Sequence, residues 1–347
     1  MSGRKRVVVI EGEDAAPEAM RPTVALVDRL GLPIDWVRPA VEDHDATRRA
    51  IDASDATLFG ATSGRSAPAL FHLRWGKATY ANVRPARWLP GYRSPLARPE
   101  GIDLVIVREN LEDLYVGVEG DLSALRPLAL SSPMARRPVA DLGPGRFALK
   151  VITEEGSARV VRFAFELARR RRAAGRPGKL TCATKHNMLP ATDGLFREVA
   201  TRLAASYPDV RFETFIVDDF ARRLVAEPQA LDVVVLPNLY GDILSDAAAG
   251  VIGGLGLAPS GCYGDGYAYF EPAHGSAPDI AGKGIINPTA TILSAAMMLD
   301  HLGFAPAARR LEAAVERVYA DGRPLTPDQG GTATTLEFAA AVEGYLR

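Results

Sequence analysis

The stretch Leu236-Pro-Asn-Leu-Tyr-Gly-Asp-Ile-Leu-Ser-Asp-Ala-Ala-Ala-Gly250 decides how the rest of this sequence is interpreted. It follows an apolar run at residues 233–236, which predicts a buried strand, and its own spacing predicts a helix. Asp242 and Asp246 then lie one turn apart on the same helical face. Such a pair suits a hard divalent cation, but it equally suits a solvated helix start near the positive end of the dipole. The stretch alone leaves both interpretations open.

The composition is that of an ordinary globular protein. The chain has 347 residues, of which 47% are apolar and 24% charged, with a formal net charge of -1. This length predicts one large or two medium domains. Near-neutral charge gives no electrostatic reason to expect nucleic acid or a membrane as partner. The arginine run at residues 169–172 is interpreted as a solvated helix end, where cations complement the dipole.

Cysteine usage and the first residues bear on the cellular compartment. Cys182 and Cys262 are far apart and lack metal-ligand spacing, which predicts free thiols in a reducing compartment. The first apolar run, residues 7–10, is too short for a signal peptide or a membrane span. We therefore expect a cytoplasmic protein.

Strands alternate with helices along the chain, which predicts an α/β fold with a largely parallel sheet. No GxGxxG follows the first strand, so the usual Rossmann fingerprint is absent. Residues 126–146, rich in Pro, Gly and Arg, predict an arm or loop. Residues 148–153 are expected to form a strand, and residues 212–220 a strand that ends in Asp218 and Asp219.

Basic residues stand at several predicted element ends. Arg74, Arg84 and Arg108 could hold a polycarboxylate, because the guanidinium fork matches a carboxylate in two places. Lys185 ends a predicted strand, where it could act as a base or as a salt-bridge partner.

Four motifs in order carry a resemblance to a known family. The chain resembles the β-decarboxylating dehydrogenases, which include the isocitrate, homoisocitrate, isopropylmalate and tartrate dehydrogenases, over nearly its whole length. The motifs are Val107-Arg-Glu-Asn-Leu-Glu-Asp-Leu-Tyr115, Lys185-His-Asn-Met, Asn238-Leu-Tyr-Gly-Asp-Ile-Leu-Ser-Asp246 and His274-Gly-Ser-Ala-Pro-Asp-Ile-Ala-Gly-Lys-Gly284. Residues 254–261 and 326–335 look most like homoisocitrate dehydrogenase.

The resemblance implies an α/β, isopropylmalate/isocitrate dehydrogenase-like, non-Rossmann fold with two domains around a mixed sheet. Residues 1–79 and 253–347 would form the larger, cofactor-binding domain. Residues 80–252 would form the smaller domain, with a dimerisation arm at about residues 115–146. The implied assembly is a homodimer with shared active sites, or a higher oligomer.

The resemblance also implies a site. Asp242 and Asp246, completed by the partner subunit's Asp218, would hold Mg²⁺ or Mn²⁺. Arg74, Arg84 and Arg108 would bind the malate carboxylates, the partner subunit's Lys185 would be the base at the hydroxyl, and Tyr115 the acid at the enol carbon.

For the cofactor, the resemblance places His274, Gly275 and Asn287 at the adenosine. Asp279 would accept a hydrogen bond from the ribose 2′-hydroxyl and repel a 2′-phosphate, which favours NAD over NADP.

Two segments depart from the family pattern. The first loop is usually Gly-Asp-Gly-Ile-Gly-Pro-Glu, whereas residues 12–18 replace both later glycines, so the backbone approach near the nicotinamide is expected to differ. The second segment precedes Arg74 and is several residues short. By the resemblance, its Leu70 and Phe71 stand at positions where family members bind the substrate's third substituent. An apolar side chain cannot pair a distal carboxylate, unless Arg65 or His72 reaches it.

The expected function is therefore NAD- and metal-dependent oxidative decarboxylation of a 3-substituted malate with an apolar or small substituent, in a specialised biosynthetic pathway. The alternatives are a homoisocitrate/isocitrate or a tartrate/malate dehydrogenase, and a non-catalytic family member that acts as a binding or regulatory subunit.

Overall fold

The computed structural model describes residues 3–346, which form one long mixed sheet flanked by helices. The strands in chain order are β1 (Lys5–Ile10), β2 (Ile34–Val37), β3 (Ala56–Phe59), β4 (Ala81–Arg87), β5 (Asp103–Glu109), β6 (Glu119–Asp121), β7 (Ser131–Ser132), β8 (Arg137–Pro138), β9 (Arg146–Ala148), β10 (Lys179–Thr184), β11 (Arg211–Ile216), β12 (Val233–Leu236), β13 (Pro259–Tyr263) and β14 (Ala268–Pro272).

The order of the ten-stranded sheet is β11-β10-β12-β5-β4-β13-β14-β3-β1-β2. Two parallel blocks, β11-β10-β12-β5 and β14-β3-β1-β2, are joined through the antiparallel strands β4 and β13. Because parallel strands end at the same edge, the residues after β5, β10 and β12 meet along one edge of the sheet.

The helices cover both faces of this sheet. They are α1 (Ala16–Arg29), α2 (His44–Asp52), α3 (Ala67–Phe71), α4 (Glu154–Ala173), α5 (Thr192–Ala204), α6 (Val217–Ala226), α7 (Asn238–Ile252), α8 (Thr289–His301), α9 (Ala305–Asp321) and α10 (Thr335–Leu346), with one π-helical turn at His72–Gly76. Strands such as β12, buried along their whole length, are apolar throughout because both faces are covered.

The predicted α/β class and mixed sheet are confirmed, and both cysteines are buried free thiols as expected. The strand expected at residues 148–153 is wrong, because β9 ends at Ala148 and Lys150 turns inward to buried carboxylates. The strand at residues 212–220 ends at Ile216, so Asp218 lies in the first turn of α6.

The arginine run is not a solvated helix end throughout. The Arg171 side chain is only 16% exposed and pairs with Asp103 at 3.0 Å and Asp232 at 2.6 Å. Burial of Asp232, which no local pattern reveals, demands this partner.

Residues 115–148, which include the predicted arm at about residues 115–146, lie outside the main sheet and form two short antiparallel pairs, β6 with β9 and β7 with β8. Leu128, Leu130 and Met134 on this arm are 63%, 48% and 85% exposed. The domain boundaries and the dimerisation role of the arm stay predictions, and Met1, Ser2 and Arg347 of the predicted larger domain lie outside the described residues. Within residues 3–346, no helix combines the length and apolarity that a membrane crossing requires.

Candidate active site

Helix α7 begins directly after β12, and its first turn packs against the end of β5. In the sheet Leu236 is paired with Arg108, and Asn82 of β4 faces Arg108 from the other side. A Cβ on Gly241 would lie 2.7 Å from the Arg108 side chain, so glycine permits this close approach of helix and strand. Gly241 thus allows the first turn of α7 to pack directly against the Arg108 side chain.

Arg108 is the buried centre of the site. Its side chain is 2% exposed, its Nε donates to Asn238 Oδ1 at 2.8 Å, and it forms a close ion pair with Asp242. Burial, with Arg74 and Arg84 nearby, lowers the pKa of Arg108 to about 10. At neutral pH the guanidinium is still charged, so it requires the Asp242 carboxylate or another anion.

Arg84 and Tyr115 complete the contacts of the two aspartates. Arg84 Nη1 donates to Asp246 Oδ1 at 3.0 Å and to Ser245 Oγ at 2.8 Å, and it lies 3.4 Å from Asp242 Oδ1. Tyr115 donates its hydroxyl hydrogen to Asp242 Oδ2 at 2.5 Å. Burial and the Asp242 carboxylate raise the pKa of Tyr115, so the phenol remains protonated at neutral pH.

Arg74 is the third guanidinium of this group and interacts electrostatically with Asp242. Its Nε is buried without a hydrogen-bond partner. Burial raises the pKa of Asp246, while Arg84 opposes that shift. Three guanidinium groups thus face two aspartates, and an unsatisfied buried donor remains for an incoming anion.

The structure adds Glu271 to this group. It lies on β14 beside Arg74, Arg84 and Arg108, and burial raises its pKa against the effect of these arginines. In the sequence, Glu271 is the one charged residue of the strand Ala268–Pro272. The sequence alone assigned it no role in the site.

Lys185 and Asp218 form a separate pair. They make a close ion pair with each other, with side chains 27% and 64% exposed. In residues 3–346 neither contacts Asp242 or Asp246, and no cluster of three His, Cys, Asp or Glu residues can hold a metal. The chain thus brings the carboxylates of Asp242 and Asp246 together at one place and holds the Lys185–Asp218 pair at another.

A buried charge cluster, Lys150 with Asp113 and Asp193, lies between these two parts. Lys150 Nζ is 3.0 Å from Asp113 Oδ1 and 2.8 Å from Asp193 Oδ1. Asp113 accepts a hydrogen bond from the Leu239 backbone at 3.0 Å, and Asp193 accepts one from the Lys185 backbone at 2.7 Å. The cluster thus joins the start of α7 to the Lys185 segment, a contact that sequence analysis did not find.

A cavity of about 500 Å³ lies beside the residues expected to hold adenosine, and His274, Gly275 and Asn287 are part of its lining. His274 Nδ1 lies 2.8 Å from the Gly275 carbonyl, its Nε2 is buried without a partner, and burial lowers its pKa. A neutral ring that donates from Nδ1 leaves Nε2 as an acceptor. Asp279 is exposed, next to the lining residue Ile280. These groups fit a nucleoside ligand.

The segment before Arg74 presents apolar side chains. Leu70 packs partly against the core, and Phe71 is 55% exposed with its ring 5.6 Å from that of Trp75. His72 Nε2 lies 2.9 Å from Asp52 Oδ1, and Arg65 lies 3.5 Å from Glu42 Oε1 on the surface. Each of these two basic groups faces a carboxylate of the protein itself.

Comparison with known proteins agrees with this geometry. The sequence pattern described as isocitrate/isopropylmalate dehydrogenase matches residues 7–342. The 3-isopropylmalate/3-methylmalate dehydrogenase of Methanocaldococcus jannaschii is 43% identical, with 99% of each chain covered. The isocitrate/homoisocitrate dehydrogenase of Thermus thermophilus is 45% identical over 99% of this chain and 98% of that protein. The crystal structure of isocitrate dehydrogenase from Methylococcus capsulatus superposes with a TM-score of 0.85 at 37% identity, covering 99% of both chains.

Proposed function

The chain belongs to the isocitrate/isopropylmalate dehydrogenase family of decarboxylating dehydrogenases, and we propose that it oxidises and decarboxylates a 3-substituted malate with NAD and a divalent cation. The observation that carries the proposal is the group of Arg74, Arg84 and Arg108 around Asp242 and Asp246. Guanidinium groups match carboxylates geometrically, and the aspartates supply hard oxygen donors.

Asp242 and Asp246 would hold Mg²⁺ or Mn²⁺ together with the partner subunit's Asp218. When bound, the cation would supply Lewis-acid stabilisation of the negative oxygens that form as the hydroxyl is oxidised and CO₂ leaves. Without a cation, Arg84 and Arg108 pair with these aspartates. With a cation held by the aspartates, both arginines would be available for the substrate carboxylates. The three guanidinium groups would then bind and orient the malate.

Tyr115 has the properties of the proton donor. Its raised pKa keeps the hydroxyl protonated, and its bond to Asp242 places that proton at the site. Lys185, from the partner subunit, would accept the hydroxyl proton of the substrate. In the isolated chain Asp218 is its ion-pair partner, so both groups would reach the second site together.

For the third substituent, we propose an apolar or small group. Leu70 and Phe71 offer no charge, and His72 and Arg65 are directed to Asp52 and Glu42. Burying a distal carboxylate against Leu70 and Phe71 without a partner would cost several kcal/mol. The relatives are named for both apolar-substituted and tricarboxylic substrates, so the substrates must be compared directly.

The test is a panel of 3-isopropylmalate, 3-methylmalate, isocitrate, homoisocitrate, tartrate and malate with Mn²⁺ and NAD, followed by NADH absorbance. We expect kcat/KM for the alkylmalates to exceed that for isocitrate by about a hundredfold or more, since several kcal/mol separate them. A preference for the tricarboxylates refutes the assignment of the third substituent. No turnover with any substrate refutes the reaction, and it leaves a binding or regulatory subunit, the rival class, as the better account.

We also propose a homodimer with shared sites. Ile243 on α7 and Met188 beside Lys185 are both 59% exposed, which is unusual for large apolar side chains unless a partner covers them. Mixing inactive Lys185→Met and Asp242→Asn subunits should restore about a quarter of wild-type activity, because half the dimers are mixed and each contains one intact site. If Lys185 acts within its own chain, mixing restores nothing.

A further inference from the structure

The segment at residues 12–18, which departs from the family pattern, contacts both sides of the proposed site. The Glu13 backbone N–H donates to the Ala61 carbonyl at 3.0 Å, and the Ala15 N–H donates to the Ser276 carbonyl at 3.0 Å. A Cβ on Gly12 would lie 2.3 Å from the Ala61 oxygen, so only glycine allows this approach. We call residues 61–66 the substrate loop and residues 275–284 the cofactor loop.

The Glu13 carboxylate is enclosed by the substrate loop. Glu13 is only 7% exposed. Its Oε2 accepts hydrogen bonds from Thr62 Oγ1 at 2.6 Å, Ser63 N at 2.7 Å and Gly64 N at 3.2 Å. Oε1 accepts from Ser66 N at 3.0 Å and forms a close hydrogen bond with Ser66 Oγ. These donors satisfy all the acceptor sites of a carboxylate, so the side chain has no capacity left for a ligand. Its role is to hold the loop.

Ser66 links Glu13 to the substrate-facing residues. It immediately precedes α3, which carries Leu70 and Phe71, and α3 continues into the π-helical turn that carries Arg74. A shift at Ser66 therefore moves the apolar side chains and the guanidinium as one unit, since nothing but helical backbone separates them.

The length of the Glu13 side chain matches this loop. Where the family pattern has Asp, this chain has Glu, and it has a shortened segment between the third strand and Arg74. An aspartate side chain is about 1.5 Å shorter, so its carboxylate could not accept hydrogen bonds from Ser63 and Ser66 at the same time. The longer acid thus fits the position of this loop in the structure.

Glu18, at the other end of the segment, holds the cofactor loop. Its Oε1 accepts from Gly282 N at 2.6 Å and its Oε2 from Gly284 N at 2.7 Å. The methyl of Ala15 is buried and packs with Ala19 and Ile286, and Ile286 lines the nucleoside cavity. Ala15 therefore fills the interior beside this loop.

We propose that Glu13 is a positioning residue that determines substrate specificity by setting the substrate loop, whereas Glu18 separately sets the cofactor loop. This rests on the proposed function, because it assigns the discrimination among 3-substituted malates to that same site. The two glutamates, five residues apart, should therefore affect two different Michaelis constants.

The experiment compares Glu13→Gln and Glu13→Asp with Glu18→Gln, and uses Glu11→Gln, which loses only a surface pair with Arg21, as matched control. We expect Glu13→Gln to raise KM for the preferred malate about tenfold or more, because several charge-assisted hydrogen bonds are lost. It should also change the ratio of kcat/KM between 3-isopropylmalate and malate at least threefold, and leave KM for NAD within twofold. Glu18→Gln should instead raise KM for NAD and leave both KM for the malate and the substrate ratio nearly unchanged.

Glu13→Asp and Ser66→Ala should shift the substrate ratio in the same direction but less, which keeps the proposal testable if Glu13→Gln does not fold. Equal effects of Glu13→Gln and Glu18→Gln on both Michaelis constants would overturn the proposal, because they would indicate general destabilisation. An unchanged substrate ratio in every Glu13 variant would also overturn it.

Failure of the proposed function gives a different result. If the wild type turns over no malate, calorimetric titration with NAD still separates the variants. A weaker NAD affinity in Glu18→Gln, with Glu13→Gln equal to wild type, supports the separate roles even then. Weaker NAD binding in Glu13→Gln alone contradicts them.

Discussion

Replacing Lys150 with methionine gives the sharpest test of how the site is supported. Lys150 is 13% exposed, and it is the cation beside Asp113 and Asp193, whose side chains are 0% exposed. Methionine preserves most of the volume but leaves two buried carboxylates without a counter-ion. Breaking a buried pair in this way costs about 3–5 kcal/mol.

The predicted loss can be converted to a melting temperature. The unfolding entropy is about 2.1 cal/mol/K per residue, so for 347 residues the free energy of unfolding changes by about 0.7 kcal/mol per degree near Tm. A loss of about 3–5 kcal/mol should therefore lower Tm by about 4–7 °C. The control is Lys5→Met, which removes an exposed pair with Asp55 at 3.3 Å. It should cost less than about 1 kcal/mol.

The pH dependence identifies the cause. In Lys150→Met the two buried carboxylates lose their cation, and the unpaired buried charge lowers stability. In the wild type, burial acts to lower the pKa of Lys150, but the hydrogen bonds and charges of Asp193 and Asp113 outweigh burial and raise that pKa. The contribution of Lys150 to stability is therefore fully present below the usual lysine range and is lost only above it.

The assay is thermal unfolding of wild type, Lys150→Met, Lys150→Arg and Lys5→Met between pH 5 and 9. Since the cluster also holds the Lys185 backbone and the start of α7, kcat should fall in Lys150→Met and partly recover in Lys150→Arg. A Tm of Lys150→Met within about 1 °C of wild type across this pH range would refute the reasoning.

Three further predictions concern single carboxylates. Asp242→Asn should lower kcat/KM by about a thousandfold or more and remove the rise in Tm that Mn²⁺ gives the wild type, measured by steady-state kinetics and by thermal unfolding with and without the ion. Burial raises the pKa of Glu109 from 4.5 to about 7, so the folded state holds an extra proton in this window and stability should fall as pH rises through it, by at most about 3 kcal/mol. Glu109→Gln should flatten that slope in unfolding curves recorded from pH 5 to 8, and a slope equal to wild type would contradict the assignment. Asp279→Lys should change the NAD to NADP ratio of kcat/KM toward NADP by about ten- to a hundredfold, and an unchanged ratio would remove Asp279 from cofactor selection.

Much of the site was predictable because its residues stand in local patterns. Asp242 and Asp246 share a helical face at a spacing of four, and α7 begins where the apolar run of β12 ends. Of the two interpretations left open for this pair, the ion pairs with Arg84 and Arg108 exclude a purely solvated helix start. The family and its reaction class likewise follow from motifs that are each contiguous in sequence.

Other features depend on residues far apart in the chain. The local pattern predicts a solvated arginine run, but Arg171 pairs with the buried Asp232, which is 61 residues away in the chain. The strand expected at residues 148–153 failed because Lys150 is drawn to Asp193. Local propensity could not foresee either case, since the demand comes from a buried charge on another element.

The sequence by itself determined the α/β class, the family and the chemical types at the site, because periodicity and short motifs act over a few residues. Only the tertiary structure decided which charges meet: Arg108 with Asp242, Lys150 with two aspartates, and Glu13 with the substrate loop. The physical reason is that strand order in the sheet sets these distances, and a buried charge is stable only where a partner from another strand or loop is brought to it.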